Sequence, residues 1–168
     1  MTTVTPPPYR IYLLRHAKAG WAQPGGRDFD RELTEDGHAE AEAIGRMAAE
    51  RGYRPSMVIS STAARCRQTA EAMRRALGDS GEVRFTDDLY NCPAETYFDL
   101  LERLGDVQSV MIVGHNPAIE EVLAGLAGSD AVSDRVPMGY PTAGLAVIDH
   151  STGNGDSATW RVVDFLGA

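Results

Sequence analysis

The chain has 168 residues, and 16 Lys plus Arg against 24 Asp plus Glu leave a formal net charge of −8. Hydrophobic residues make up 43% and charged residues 24%, a soluble globular composition that excludes disordered and fibrous classes and fits one domain with its own core. So acidic a chain is repelled by nucleic acid and by anionic membrane surfaces, so neither is an expected partner, and any anion it binds must be gathered by a local basic cluster.

Residues 1–8 lack the basic start and apolar stretch of a signal peptide and read as a flexible N-terminal tail ahead of a single domain over 9–168. No apolar run approaches the roughly 20 residues of a membrane helix, so a cytoplasmic location is expected. A short buried strand, Arg10 to Leu14, comes first and stops at Arg15-His16. Ala17 to Arg31, rich in Gly, Pro and Asp, reads as a long loop of the kind that is often functional. Trp21 and Phe29 are expected to anchor it, the alternative being that they line the mouth of a pocket. Thr34 is placed to cap a helix that runs to about Arg51, with Ala41, Ile44, Met47 and Ala48 as its inner stripe. Val58-Ile59 form a second strand ending in Ser60-Ser61, and a helix from about Thr62 to Leu77 follows, capped by Ser61 and Thr62.

Gly78 to Gly81 reads as a turn and Val83 to Phe85 as a third strand. Pro93 fits the first helical position of a segment reaching Leu104, with Phe98, Leu101 and Leu104 turned inward. Val110 to Val113 is a continuous apolar run, the pattern of a strand buried on both faces, and it ends at Gly114-His115. Pro117 opens a helix carrying Ile119, Val122, Leu123 and Leu126. Ser129 to Pro141 reads as loop. Two last strands, Leu145 to Asp149 and Thr159 to Phe165, are joined through Gly153-Asn154-Gly155. Strands alternating with helices predict a three-layer α/β/α sandwich around a mostly parallel sheet. The two cysteines, Cys66 and Cys92, are too few for a disulfide framework or a metal knuckle, and Cys66 falls on the apolar side of its helix as a small hydrophobe.

Three of these strands end in residues that chemistry uses: Arg15-His16, Ser60-Ser61 shortly before Arg65, and Gly114-His115. In an open α/β sheet, ligands bind beyond the carboxyl ends of the strands, so parallel strands bring these residues to one rim. Arg65 lies in the first turn of its helix, where backbone N–H groups favour an anion. Two Arg, two His and helix N-termini around one crevice fit phosphate, whose oxygens match the planar guanidinium fork. No Walker loop, G-x-G-x-x-G or H-E-x-x-H pattern is present, and the spacing of His and carboxylates points to no metal. What remains is a histidine acting as nucleophile on phosphorus, without a cofactor.

Leu13-Leu14-Arg15-His16-Ala17 resembles the R-H-G signature of the histidine phosphatase superfamily, the phosphoglycerate-mutase-like enzymes. Leu33-Thr34 with Gly37, the run from Ser60-Ser61 through Arg65 to Gln68-Thr69-Ala70, and Val113-Gly114-His115-Asn116 resemble its other motifs, in its order. The resemblance implies that His16 becomes phosphohistidine while Arg15, Arg65 and His115 bind the phosphoryl group, and a protonated His115 is expected to stabilise charge in the transition state. Lys18 and Asn116 are further candidates to reach that group, Asn116 also being placed to cap the helix at Pro117.

Two departures stand out. Ala17 replaces the signature Gly, and the position nearest the family's general acid is Asn91, which cannot donate a proton. Glu95 and Asp88 are the remaining candidate acids. The short chain, the R-H-A-K start, the G-H-N-P motif and the missing acid are similar to the SixA-like phosphohistidine phosphatase branch. That resemblance implies a phosphorylated protein as substrate. The rival readings are a small sugar or nucleotide phosphate as substrate, and a non-catalytic phosphoprotein-binding module. The sequence leaves the oligomeric state open.

Overall fold

The computed structural model describes residues 4–78, 82–151 and 159–167. Strands β1 (Arg10–Arg15), β2 (Met57–Ser61), β3 (Glu82–Thr86), β4 (Ser109–Gly114), β5 (Leu145–His150) and β6 (Trp160–Leu166) form one sheet in the order β3-β2-β4-β1-β5-β6. β1 to β4 are parallel to one another, whereas β5 lies antiparallel to β1 and β6 antiparallel to β5. Helices α1 (Glu35–Glu50), α2 (Ala64–Leu77), α3 (Ala94–Glu102), α4 (Ala118–Ala127) and α5 (Ser129–Arg135) complete the layers.

Successive side chains of a strand point to opposite faces, and here that alternation separates two cores. Ile11, Leu13, Val110 and Ile112 pack with Tyr97, Phe98, Leu101, Ile119 and Leu123 of α3 and α4. Tyr12, Leu14, Met111 and Val113 pack with Ala41, Ile44, Cys66, Ala70 and Met73 of α1 and α2. The chain is thus the three-layer α/β/α sandwich that its sequence predicts, with a mostly parallel sheet.

The helix starts follow local chemistry. Thr34 caps α1, its hydroxyl accepting from the Gly37 amide at 3.0 Å, and Glu35 and Asp36 lie in the positive first turn. Pro93 stands one residue earlier than expected, at the cap of α3. That helix closes at Glu102, so Leu104 lies beyond it. Met47 is only half-buried, and Gly37 and Gly45 take the inner stripe of α1 beside Ala41, Ile44 and Ala48.

Three expectations need correction. Ser129–Pro141 is not wholly loop: its first seven residues form α5. Their Ser- and Asp-rich composition masks a helix that Gly128, at φ 95°, lets follow α4 directly, with Ala131 and Val132 resting on the core. Within the long first loop, Asp28–Asp30 form a 3-10 turn. The N-terminal segment is not a free tail from Val4 onward. Val4 is buried, and its carbonyl accepts from the Trp160 indole N–H at 2.9 Å, so β6 holds it against the core. Gly78 turns the chain at φ 76°, but residues 79–81 and the Gly153–Gly155 connection lie outside the described residues.

Candidate active site

The carboxyl ends of β1, β2 and β4 meet at one rim, where a cavity of about 480 Å³ is lined by Arg15, His16, Arg65 and His115. Residues separated by as many as 100 positions in sequence therefore converge, as the parallel topology requires. His16 follows β1 directly and its backbone is pinned on both sides. Its N–H donates to the Gly114 carbonyl of β4, and its carbonyl accepts from the Ala143 amide, each at 3.1 Å. The next amide, that of Ala17, donates to the Thr69 hydroxyl at 3.0 Å, while that hydroxyl donates to the Arg65 carbonyl at 2.7 Å. Loop and helix α2 are thus joined beneath the pocket.

The His16 ring is equally fixed. Its Nδ1 lies 2.7 Å from the Ala17 carbonyl. A carbonyl only accepts, so Nδ1 carries the proton and Nε2 keeps a free lone pair. Burial, reinforced by the neighbouring His115, Arg65 and Arg15, pushes the His16 pKa down to about 3. The imidazole is therefore neutral at physiological pH, the form a nucleophile needs.

His115, at the end of β4, stands edge-on to His16 with ring centroids 5.4 Å apart. Its Nδ1 faces an Arg65 terminal nitrogen at 3.4 Å, and its Nε2 faces the Ser61 hydroxyl at 2.9 Å and the Cys66 sulfur at 3.5 Å. Because Arg65 can only donate, Nδ1 accepts and Nε2–H points to Ser61. The backbone N–H of His115 donates to the Tyr97 hydroxyl at 3.1 Å, an approach that needs Gly114, since a Cβ there would run into the Tyr97 ring. Burial and the Arg65 charge lower the His115 pKa to about 4. Both effects, with Nδ1 accepting from Arg65, favour the neutral ring.

Arg15 donates through one terminal nitrogen to the Tyr140 carbonyl at 2.6 Å, while its Nε is buried with no protein partner. A buried donor without an acceptor is costly, and an anion in the cavity would supply one. Burial pulls the Arg15 pKa down, opposed by the charges of Glu40 and Glu120. Arg65 is nearly enclosed, its side chain 7% exposed, and it donates to both the backbone carbonyl and the carboxylate of Asp28, at 2.8 and 3.0 Å.

The other expected contributors divide between the cavity lining and the surface. Lys18 is exposed and outside the cavity lining; its backbone amide donates to Glu40 at 2.9 Å and its carbonyl accepts from the Thr34 amide at 3.0 Å. Asn116 lines the cavity, and its carbonyl oxygen accepts from the Glu120 amide at 3.2 Å, so it does serve the start of α4. Neither candidate acid is at the site: Asp88 lines a separate cavity with Phe85 and Thr96, and Glu95 is exposed outside the pocket. Both belong to the segment around α3 whose inward side is occupied by Leu89, Tyr97 and Phe98. Asn91 does line the cavity, with φ 55°, a left-handed conformation that Asn tolerates well, so its identity suits the backbone there. Ser61 and Thr62 do not cap α2. Ser61 turns its hydroxyl to His115, and Thr62 donates to Asp87. Trp21 is 91% exposed, so it anchors nothing in the loop.

The mouth of the cavity holds residues that the motifs do not contain. Asp28 receives hydrogen bonds from Tyr90 at 2.7 Å, Arg31 at 2.9 Å and Arg65, and Phe29 packs edge-on against Tyr90 with centroids 5.0 Å apart. The Tyr90 hydroxyl and the two arginines hold the Asp28 carboxyl well below the usual carboxylate range. Asp28 and Glu121 are the carboxylate residues that line this cavity among the described residues. One of two Asp residues in a Gly- and Pro-containing loop gives little local signal, although an acid three residues before Arg31 hints at a turn-closing pair.

The chain is similar to known proteins. The model of the histidine phosphatase superfamily (branch 1) matches residues 11–97. An uncharacterized protein of Mycobacterium tuberculosis strain H37Rv is 34% identical over 140 residues, 80% of this chain and 85% of that one. A crystal structure assigned as the phosphohistidine phosphatase SixA from Agrobacterium tumefaciens is 50% identical, with a TM-score of 0.88 over 96% of this chain and 99% of that chain. A second structure assigned as SixA, from Nakamurella, is 30% identical with a TM-score of 0.73 and 95% of each chain covered. With His16, His115 and Arg15 at strand ends and Arg65 at the start of α2 around one crevice, the chain belongs to the histidine phosphatase superfamily, in the SixA-like branch.

Proposed function

We propose that the protein hydrolyses phosphohistidine on another protein, through a phosphohistidine intermediate at His16. The observation that carries this reading is the His16 ring, whose Nδ1–H is held by the Ala17 carbonyl so that Nε2 is a neutral nucleophile in the cavity wall. Nε2 attacks phosphorus in line, the P–Nε2 bond forming as the bond to the leaving group breaks. Arg15 and Arg65 neutralise the equatorial oxygens, and a bound dianion restores proton affinity to His115. Water then attacks phospho-His16, breaks the P–Nε2 bond and releases inorganic phosphate. No step calls on a metal or cofactor, so chelator is expected to leave turnover unchanged.

The choice of substrate rests on the leaving group. An alkyl phosphate ester expels an alkoxide that needs a proton donor, and at this mouth Asp28 is held ionised. The free ring nitrogen of a phosphoimidazole takes a proton from solvent near neutral pH, and in that form the ring leaves as neutral imidazole without a dedicated acid at the mouth. The 50% identical Agrobacterium structure, assigned to a phosphohistidine phosphatase, supports the same substrate.

The test compares phosphate release from a histidine-phosphorylated carrier protein and from a panel of small phosphomonoesters, with His16→Ala as control. Faster turnover of the carrier, with an acid-labile phosphoenzyme in rapid quench, is expected. Preference for one small ester would make the protein a metabolic phosphatase, and binding without turnover would make it a phosphoprotein-binding module.

A further inference from the structure

Arg65 is the arginine expected to grip the phosphoryl group, yet its donors are largely committed. One terminal nitrogen donates to the Asp28 carbonyl at 2.8 Å, and the other to the Asp28 carboxylate at 3.0 Å and toward His115 Nδ1 at 3.4 Å. The terminal fork of the guanidinium, the edge that matches two phosphoryl oxygens, is closed on Asp28. We propose that Asp28 is a specificity-determining residue, an internal carboxylate that occupies the phosphate-binding fork of Arg65 and that an incoming phosphoryl group must displace.

The neighbourhood equips Asp28 for that exchange. Released from Arg65, its carboxylate still keeps Arg31 on Oδ1 at 2.9 Å and the Tyr90 hydroxyl on Oδ2 at 2.7 Å, so it is never left bare. Its side chain is 52% exposed while that of Arg65 is 7% exposed, so the carboxylate has room to yield and the guanidinium does not. Arg31 is itself tied to the loop by its bond to the Gly20 carbonyl at 2.7 Å, and Tyr90 is braced by Phe29. The exchange also favours a dianionic phosphoryl group over singly charged anions, because a monoanion only replaces the charge that Asp28 already supplies. This inference rests on Arg65 gripping the substrate, as the preceding reading has it.

The experiment measures the inhibition constant of inorganic phosphate at one pH for the wild type, Asp28→Asn, Tyr90→Phe and the double variant. Asp28→Asn is expected to lower that constant by about tenfold, the scale of one charge-assisted hydrogen bond in a half-exposed site. Tyr90→Phe, which removes a resting partner of the displaced carboxylate, should raise it by about threefold, and that rise should vanish in the Asp28→Asn background. A constant that is unchanged or higher in Asp28→Asn overturns the proposal and makes Asp28 a positioning residue for Arg65. If Asp28→Asn fails to fold, Tyr90→Phe decides alone, an unchanged or lower constant counting against the exchange. Failure of the proposed function looks different: the wild type would not be inhibited by phosphate, or His16→Ala would retain turnover.

Discussion

The floor and the mouth of the pocket are built on opposite terms. On the floor, Arg15, His16 and His115 ride on the ends of two paired central strands, with backbone bonds to Gly144, Gly114 and Ala143 and a buried Tyr97 hydroxyl beneath. At the mouth, Asp28, Arg31 and Tyr90 ride on loops and meet through side chains, with Asp28 half-exposed. The floor is preorganised for one geometry, as in-line attack demands, and the mouth is held by contacts that a ligand can exchange. On the proposed reading, rigid strand ends carry the chemistry and loops decide what reaches it.

Substitutions should separate the two regions. His16→Ala is expected to abolish turnover and the acid-labile phosphoenzyme, measured by rapid quench; persistence of either would remove the nucleophile from the floor. Arg65→Ala should lower kcat by roughly 10²- to 10³-fold, the range for losing one preorganised oxyanion donor, in steady-state assays. Tyr97→Phe strands the buried His115 N–H and is expected to cost about 1–3 kcal/mol in denaturant unfolding, with turnover impaired.

The buried histidines set the acid side of stability. His16 and His115 have folded-state pKa values of about 3 and about 4, below an unfolded value near 6.5, so the unfolded chain binds more protons across that interval. Their contribution is whole above about pH 6.5 and is lost as the pH falls toward about 4 for His115 and about 3 for His16. The melting temperature should therefore fall over that range, and His16→Gln should flatten part of the decline. The smallest effect belongs to the loop. Trp21→Ala is expected to shift stability by less than about 0.5 kcal/mol, because an exposed side chain away from buried features contributes little.

How much was legible follows the same division. Val110 to Val113 reads as a fully buried strand because a run without polar residues fits only a sheet covered on both faces, and the structure agrees. Arg15-His16, Arg65 and Gly114-His115 are read correctly as convergent because a parallel sheet brings its carboxyl ends to one rim. The acids are not read correctly. Distance along the chain from the third strand singled out Asp88 and Glu95, but the turn at Asp87–Leu89 and the packing of α3 send both away from the cavity. In α5, composition misled because a Gly at positive φ and contact with the core outweigh weak local propensity.

The sequence by itself determined most of the elements, their alternation and the candidates Arg15, His16, Arg65 and His115, since each depends on periodicity, on a short motif or on its place at the end of a strand or the start of a helix. Only the tertiary structure decided the protonation of both histidines, the exposure of Trp21 and the closure of Arg65 on Asp28. Those depend on burial and on bonds between residues 37 to 62 positions apart, such as Arg65 and Tyr90 to Asp28. No local pattern encodes such distances, because they arise only when separate loops are brought to the same end of one sheet.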